Sequence, residues 1–348
     1  MLTPDQVDDF VTLTLSLFKK NSWTDLSLEH VEYIFSRLIR EKSVVERGGK
    51  DLSFRLKTRN TGNFRNTGLF AQDVAKVEDV MIEAAVPWAK QTTNWSYDID
   101  EDLFQSDPET IISELQIREH DAMSDFAEGQ EENLWSAPTN PQDKRPMGIP
   151  FWLQKNAATD PEGGLHGGNP AGFATGCAGV DSNLYPRWRN WTFGYQRATR
   201  DDLVRKVKRA LAFTHYTPAV PHPTLGFGEA KHTMYTTYRV QEPLERLAET
   251  RNDNLGSDLA KYINQVTIGG CPMTWVPWLN ANDTSDPIYG INWSVLRPFV
   301  KKGCNMRRTK PMPAPGHTQH TVRTVHVDHW MNYICYDRRK CFVGSLSA

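Results

Sequence analysis

The chain has 348 residues, with 40 basic against 42 acidic side chains and a formal net charge of −2. That length supports a large core in one to three domains, and the near-neutral charge names no polyanionic partner. No run of about 18 apolar residues occurs, so nothing reads as a membrane span, and the start, MLTPDQVDDF, has neither the basic nor the apolar region of a secretory signal.

Residues 4–42 read as two short helices. Val7, Phe10, Val11, Thr14, Leu15 and Phe18 recur at helical spacing, Asn21-Ser22 interrupts, and Leu28, Val31, Ile34, Phe35, Leu38 and Ile39 resume it. From residue 50 the period changes to two. Phe54, Leu56 and Thr58 alternate with Ser53, Arg55, Lys57 and Arg59, which predicts a strand with a basic outer face. Asn60-Thr61-Gly62 and Asn66-Thr67-Gly68 supply turns, and Val77, Val80, Ile82 and Val86 read as the returning strand. A two-stranded excursion buries too little surface to stand alone, so it needs a surface to lie on.

Asp107-Pro108-Glu109 opens the clearest helix: aspartate caps, proline suits the first position and glutamate the positive end of the dipole. Its apolar stripe runs to about Trp135. Residues 136–200 are too rich in Gly and Pro for regular structure and too rich in Trp and Phe for a disordered linker. A helix is predicted over Asp201–Phe213, a strand over Met234–Val240 and a helix from Pro243 to Leu247, with another near Leu255–Tyr262. A short strand over Gln265–Ile268 leads into Gly269-Gly270. The tail reads as two strands, Thr321–Val327 and Met331–Tyr336, with the chain closing near Val343.

Candidate chemistry is sparse. The five cysteines (Cys177, Cys271, Cys304, Cys335, Cys341) form no C-x-x-C pair, which reads as buried free thiols in a reducing compartment. His326-Val327-Asp328 puts two metal-ligand types on one strand face, as in two-histidine, one-carboxylate iron sites, but His329 points the other way and no histidine follows it. Gly163-Gly164-Leu165-His166-Gly167-Gly168 lacks the Gly-Lys-Ser/Thr of a phosphate loop, and no Gly-x-Ser-x-Gly occurs. No catalytic, cofactor or metal residue is assigned, and the chain reads as a non-enzyme.

Charge is strongly segregated. Asp98–Glu132 holds thirteen acids and one base, Lys50–Arg65 five bases and one acid, Arg187–Arg209 eight bases and two acids, and Arg297–Lys310 six bases and no acid. On a near-neutral chain such blocks are best explained as meeting one another, within or between copies.

Three stretches then occur in a telling order: GVDSNLYPRWRN (Gly179–Asn190), VTIGGCPMTWVPWL (Val266–Leu279) and DPIYGINWSVL (Asp286–Leu296). In pattern and order the chain resembles the major capsid proteins of tailed bacteriophages. It departs from them where their Gly-Gly is Ala178-Gly179 and where Ser182-Asn183 replaces Arg-Ser.

The resemblance implies an α+β, Hong Kong 97-like fold. Its expected parts are a helical arm (1–49), an extended β-hairpin loop with flanking strands (50–105), and a peripheral domain with a long spine helix and a Gly/Pro-rich insertion (106–199). An axial α/β domain (200–309) and closing strands of the peripheral domain (310–348) complete it. It also implies self-assembly into hexamers and pentamers of an icosahedral virion shell around double-stranded DNA, put together in the host cytoplasm. A separate scaffolding protein, a portal and decoration proteins are the implied partners, with weak nonspecific contact to DNA and none to membrane. The expected contact between subunits sets Arg55, Lys57, Arg59 and Arg65 over Asp121, Asp125 and Glu128. Tyr185, Pro186, Arg187, Trp188, Arg189 and Asn190 are expected to form a rigid structural block. Two other readings stay open: an iron enzyme using His326 and Asp328, and a nucleic-acid binder using Arg187–Arg209 with Trp188, Trp191 and Tyr195 as stacking groups.

Overall fold

A computed structural model of the chain describes residues 34–40, 45–69, 76–100, 108–156, 162–220, 231–249, 266–313 and 321–347. The strands in chain order are β1 (Val45–Arg47), β2 (Leu52–Lys57), β3 (Met81–Val86), β4 (Ala89–Asp98), β5 (Gly164–Gly167), β6 (Asn190–Tyr195), β7 (His232–Thr236) and β8 (Val266–Ile268). They continue with β9 (Cys271–Trp275), β10 (Ile288–Asn292), β11 (Leu296–Lys301), β12 (Arg307–Arg308), β13 (Met312–Pro313), β14 (Val322–Cys335) and β15 (Phe342–Leu346). The helices are α1 (Ile34–Arg40), α2 (Pro108–Trp135), α3 (Ile149–Trp152), α4 (Arg205–Thr214), α5 (Tyr238–Glu249) and α6 (Pro277–Asn282).

The chain divides into two compact units. The first takes residues up to 48, then 88–134 and 298–331. Its sheet runs β1-β11-β14-β12, with β4 and β13 also on β14. The β4–β14 ladder is long and antiparallel, from Val322 opposite Asp98 to Met331 opposite Ala89. The helix α2 has 28 residues, a span of about 42 Å. Leu115 and Ala122, one heptad apart, pack on Trp95, Tyr97 and Val325. Glu131 is buried, and its carboxylate accepts the backbone N–H of Phe35 at 3.0 Å, tying α1 to α2.

The second unit takes residues 49–87, 135–297 and 332 onward. Its seven-stranded mixed sheet has the order β5-β6-β15-β10-β7-β9-β8. The last strand in sequence, β15, lies between β6, to which it is parallel, and β10, to which it is antiparallel. Glycine makes this packing possible. A Cβ at Gly290 would sit 2.1 Å from the Phe342 ring and one at Gly344 2.3 Å from the Phe193 ring. The core continues through Leu203, Val207, Ala210 and Leu211 of the α4 region, Val240 and Leu244 of α5, and Met234, Met273 and Ile288 of the sheet. The β8–β9 hairpin turns on Gly269 and Gly270, at φ 62° and 80°, the positive values a two-residue turn of this hand requires.

The strands β2 and β3 form a separate two-stranded sheet, antiparallel from Leu52 opposite Val86 to Lys57 opposite Met81. Leu52 and Phe54 are buried while Arg55 and Lys57 are exposed, as the period of two demands.

Several expected elements differ. The tail holds one 14-residue strand where two were expected, because no Gly, Pro or turn dipeptide separates His326 from Met331. The strand expected over Met234–Val240 ends at Thr236, and the helix expected from Pro243 begins at Tyr238 with the proline inside it. A regular strand, β6, lies in the stretch expected to be irregular. All six of its residues are buried, so it has no polar alternation to read. The helix expected over residues 4–20 and the one near 255–262 lie outside the described residues.

Candidate assembly surface

The base of the β2–β3 hairpin is anchored to the rest of the second unit. The Phe54 ring lies 5.4 Å from that of Tyr336, edge-on, and 6.4 Å from that of Trp188. The Ala85 N–H donates to the carbonyl of Ala178 at 3.2 Å. Beyond the strands the two arms stay joined: the Thr58 N–H donates to Val80 O, and the Asn63 side-chain amide both donates to Lys76 O (2.9 Å) and accepts from its N–H (3.1 Å). Arg59 is drawn into this structure, donating to Asp79 O and standing 3.6 Å from Glu78. Arg55 faces outward opposite Glu83, Lys57 opposite Met81, and Arg65 is exposed farther out. Beyond the two strands the excursion carries Phe64, Leu69 and Val77 at 91%, 93% and 98% exposure.

On the first unit, Asp121, Asp125 and Glu128 are exposed on α2. With Ile117 and Glu132 they recur at four, four, three and four residues, so they fall in one stripe along the helix. Ile117 is 47% exposed. On another side of the helix Glu119 pairs with Arg308, and Arg118 donates to Ser96 O at 3.3 Å.

The Tyr185–Asn190 block folds as a 3₁₀ turn, Pro186–Trp188, running into β6. Trp188 and Asn190 are buried; Arg187 is exposed. Arg189 donates to Ser182 O and the Asn183 side chain. The centre of this region is Arg338, a residue the sequence did not single out. Its guanidinium is fully buried and donates to Trp152 O (2.7 Å), Trp188 O (2.8 Å), Gly168 O (3.0 Å), Gly167 O (3.4 Å) and Asn190 Oδ1 (3.0 Å). Five donors in a fixed planar fork suit such a set of acceptors. Asn190 also pairs with the Gln154 backbone through both side-chain atoms. A Cβ on Gly167 would fall 1.8 Å from Asn190 Oδ1, so glycine keeps that space open.

The preceding turn explains the Gly-Gly pattern. Ala178 and Gly179 have φ of 54° and 81° between Cys177 and Val180, which pair as an isolated bridge. A two-residue turn with both φ positive favours glycine, and here alanine holds the first position. The Asn169 side chain donates to Asp181 and accepts from the Ser182 N–H and hydroxyl, closing the loop. That hydrogen bond and the Asn183 N–H hold the Asp181 carboxyl below its usual range.

The two chemical alternatives find other roles for their residues. Asp328 stands 3.3 Å from Arg307 and 3.5 Å from Lys90. Burial raises its pKa, but the Arg307 hydrogen bond and the Lys90 charge outweigh burial and hold it low. His329 is buried edge-on against Phe126, with Nδ1 accepting from the Met306 N–H, and burial pushes its pKa down to about 4. Among the described residues no group of three or more His, Cys, Asp or Glu is placed to hold a metal. The proposed stacking aromatics are packed away instead. Trp191 stacks on Phe213 at 4.9 Å, Tyr195 donates to Asp286 O, and Trp188 lies beneath Phe54. In the basic block, Arg205 and Arg209 reach Glu162, while Lys206 is buried between Asp202 and Gly194 O.

This mixed α+β architecture is the fold of phage capsid subunits. A chain of the cyanophage A-1(L) capsid asymmetric unit matches over 95% of this chain and 98% of its own length, with a TM-score of 0.62 at 13% identity. The capsid of a native GTA particle matches 94% and 96%, with a TM-score of 0.54 at 11% identity. That of Myoviridae phage XM1 matches 94% and 97%, at 0.52 and 9%. At such identities the likeness is one of fold. No protein-family model and no curated protein matches the sequence. Among the described residues no helix is long and apolar enough to cross a membrane.

Proposed function

We propose that this chain is a major capsid protein, which self-associates into hexamers and pentamers of an icosahedral shell around double-stranded DNA. The observation that carries the reading is the likeness in fold over nearly the whole length of both chains. A partial likeness would fit a shared domain in a protein of other use, whereas here the likeness spans 95% of this chain and 98% of the capsid chain it matches. The surface agrees, since an acidic stripe on α2 and large apolar side chains on the β2–β3 excursion stand exposed in the lone molecule. The role is mechanical, without catalysis. In this reading α2 is the spine helix of the peripheral domain and the β2–β3 excursion is the extended loop. The seven-stranded sheet is assigned to the axial domain, although its strands β5, β6 and β15 come from the ranges 106–199 and 310–348 expected in the peripheral domain. The basic residues Arg55, Lys57, Arg59 and Arg65 lie over Asp121, Asp125 and Glu128 of an adjacent copy. A separate scaffold, a portal and decoration proteins complete the particle, which forms in the host cytoplasm and touches DNA only weakly.

Negative-stain microscopy of the expressed chain, alone and with the product of a neighbouring scaffold gene, tests this directly. Closed shells or regular capsomers are expected. A chain that stays monomeric at high concentration in both preparations overturns the reading.

A further inference from the structure

We infer that Val77, on the returning arm of the β2–β3 excursion, seats against Ile117 on the α2 helix of a second copy, so that an apolar anchor fixes the register of the charged contact. The inference rests on the capsid reading and adds what holds the hairpin in place. Phe64, Leu69 and Val77 are each more than nine-tenths exposed. Soluble monomers rarely leave such a group uncovered. On the other side, Ile117 is the exposed apolar member of a stripe otherwise made of Asp121, Asp125, Glu128 and Glu132.

Length decides where one meets the other. The β2–β3 ladder pairs Lys57 with Met81, and Thr58 bonds Val80. Continued at that register, Val77 stands level with Thr61. It is then five residues from the midpoint of Arg55 and Lys57, or about 17 Å along a strand. On a helix the same distance is about 11 residues. Placing Arg55 and Lys57 over the middle of the acidic stripe, between Asp125 and Glu128, therefore sets Val77 within one turn of Ile117, provided the hairpin points toward the helix N-terminus. Pointed the other way, Val77 would fall beyond Trp135, where the helix stops. Charge complementarity chooses the helix, and the one exposed apolar residue on the stripe chooses the direction. The division of labour follows: exposed ion pairs weaken with salt, whereas apolar burial does not.

The test places a photo-crosslinking amino acid at Val77 in the full chain, assembles particles, irradiates them and maps crosslinked peptides by mass spectrometry. Crosslinks to residues 113–121 of another copy are expected. Ile117→Lys should leave the melting of the unassembled chain unchanged and lower particle yield at least tenfold, at low and high salt alike. Well-formed particles whose Val77 crosslinks map elsewhere, or whose yield ignores Ile117→Lys, overturn this register and leave the capsid reading standing. If the unmodified chain forms no particles under any condition, the capsid reading fails and the register fails with it.

Discussion

The region around Arg338 and the region around the β2–β3 hairpin handle polar and apolar groups in opposite ways. At Arg338 a charge is fully buried and each surrounding loop contributes an acceptor, so the site is complete within one chain. On the hairpin Arg55, Lys57 and large apolar side chains stand in solvent, and on α2 so do the acidic stripe and Ile117. The first pattern serves folding; in the proposed assembly the second serves association. Substitutions in the two regions should therefore fail in different assays.

The largest effect is expected at Arg338. Arg338→Met leaves four backbone carbonyls and the Asn190 side chain without their donor, and should cost about 3–5 kcal/mol. Arg338→Lys should recover only part of this, since an ammonium cannot present the same fork. Urea unfolding and soluble yield measure both. A fully stable Met variant would break the comparison at its centre. Trp188→Ala, which removes the ring between Phe54 and Arg338, should also cost about 3–5 kcal/mol. It should loosen the base of the hairpin, visible as faster hydrogen exchange at Ala85.

The next effect concerns pH. His329 is held neutral by burial, with a pKa of about 4 against an ordinary value near 6.5. The unfolded chain takes up the proton first, so stability is complete above about pH 6.5, falls as pH drops toward 4 and levels off below. The loss should reach up to about 3 kcal/mol. Urea midpoints at pH 7, 5.5 and 4 should show it, and His329→Leu should flatten the slope.

Charge reversal at Arg55, Lys57 and Arg59 should change the stability of the unassembled chain by less than about 1 kcal/mol, the ordinary scale of exposed pairs. Most of that change should come from Arg59, which is already tied to Glu78 and Asp79. Particle formation should nonetheless be blocked or misdirected, and reversal of Asp121, Asp125 and Glu128 in the same chain should partly restore it. Normal assembly of the triple variant at low salt would sink the pairing. The smallest effect is Ala178→Gly. Relief of a left-handed alanine is worth about 1 kcal/mol, and loss of one buried methyl costs about 0.8 kcal/mol, so thermal unfolding should barely move.

The elements legible in the sequence were those whose residues alternate between water and core. The basic and apolar faces of β2 could be read from Phe54 to Arg59, and the long helix from its proline start and acidic flank. What escaped has a common cause. In β6 every position is buried, which erases the period of two. In β14 the polar residues His326 and Asp328 imitate a break, while the backbone continues through them in an unbroken ladder on β4. Arg338 is invisible in the sequence because four of its five acceptors are main-chain carbonyls from three separate segments of the chain, and a carbonyl leaves no mark in a sequence. The Trp-Arg-Asn pattern hinted at this centre through Asn190. Its partner lies 148 residues away.

The position of β15 has a consequence for synthesis. It is the last described strand to leave the ribosome, yet it fills the third place of seven in its sheet. Until it arrives, β6 and β10 have no common neighbour, and the rings of Phe193 and Phe342 have not met across Gly290 and Gly344. A nascent or prematurely terminated chain thus lacks the seam of its larger unit, with unpaired strand edges on both sides of the gap. In the proposed assembly, competence to join other copies waits for this strand, so the order of the strands itself screens incomplete products from the growing lattice.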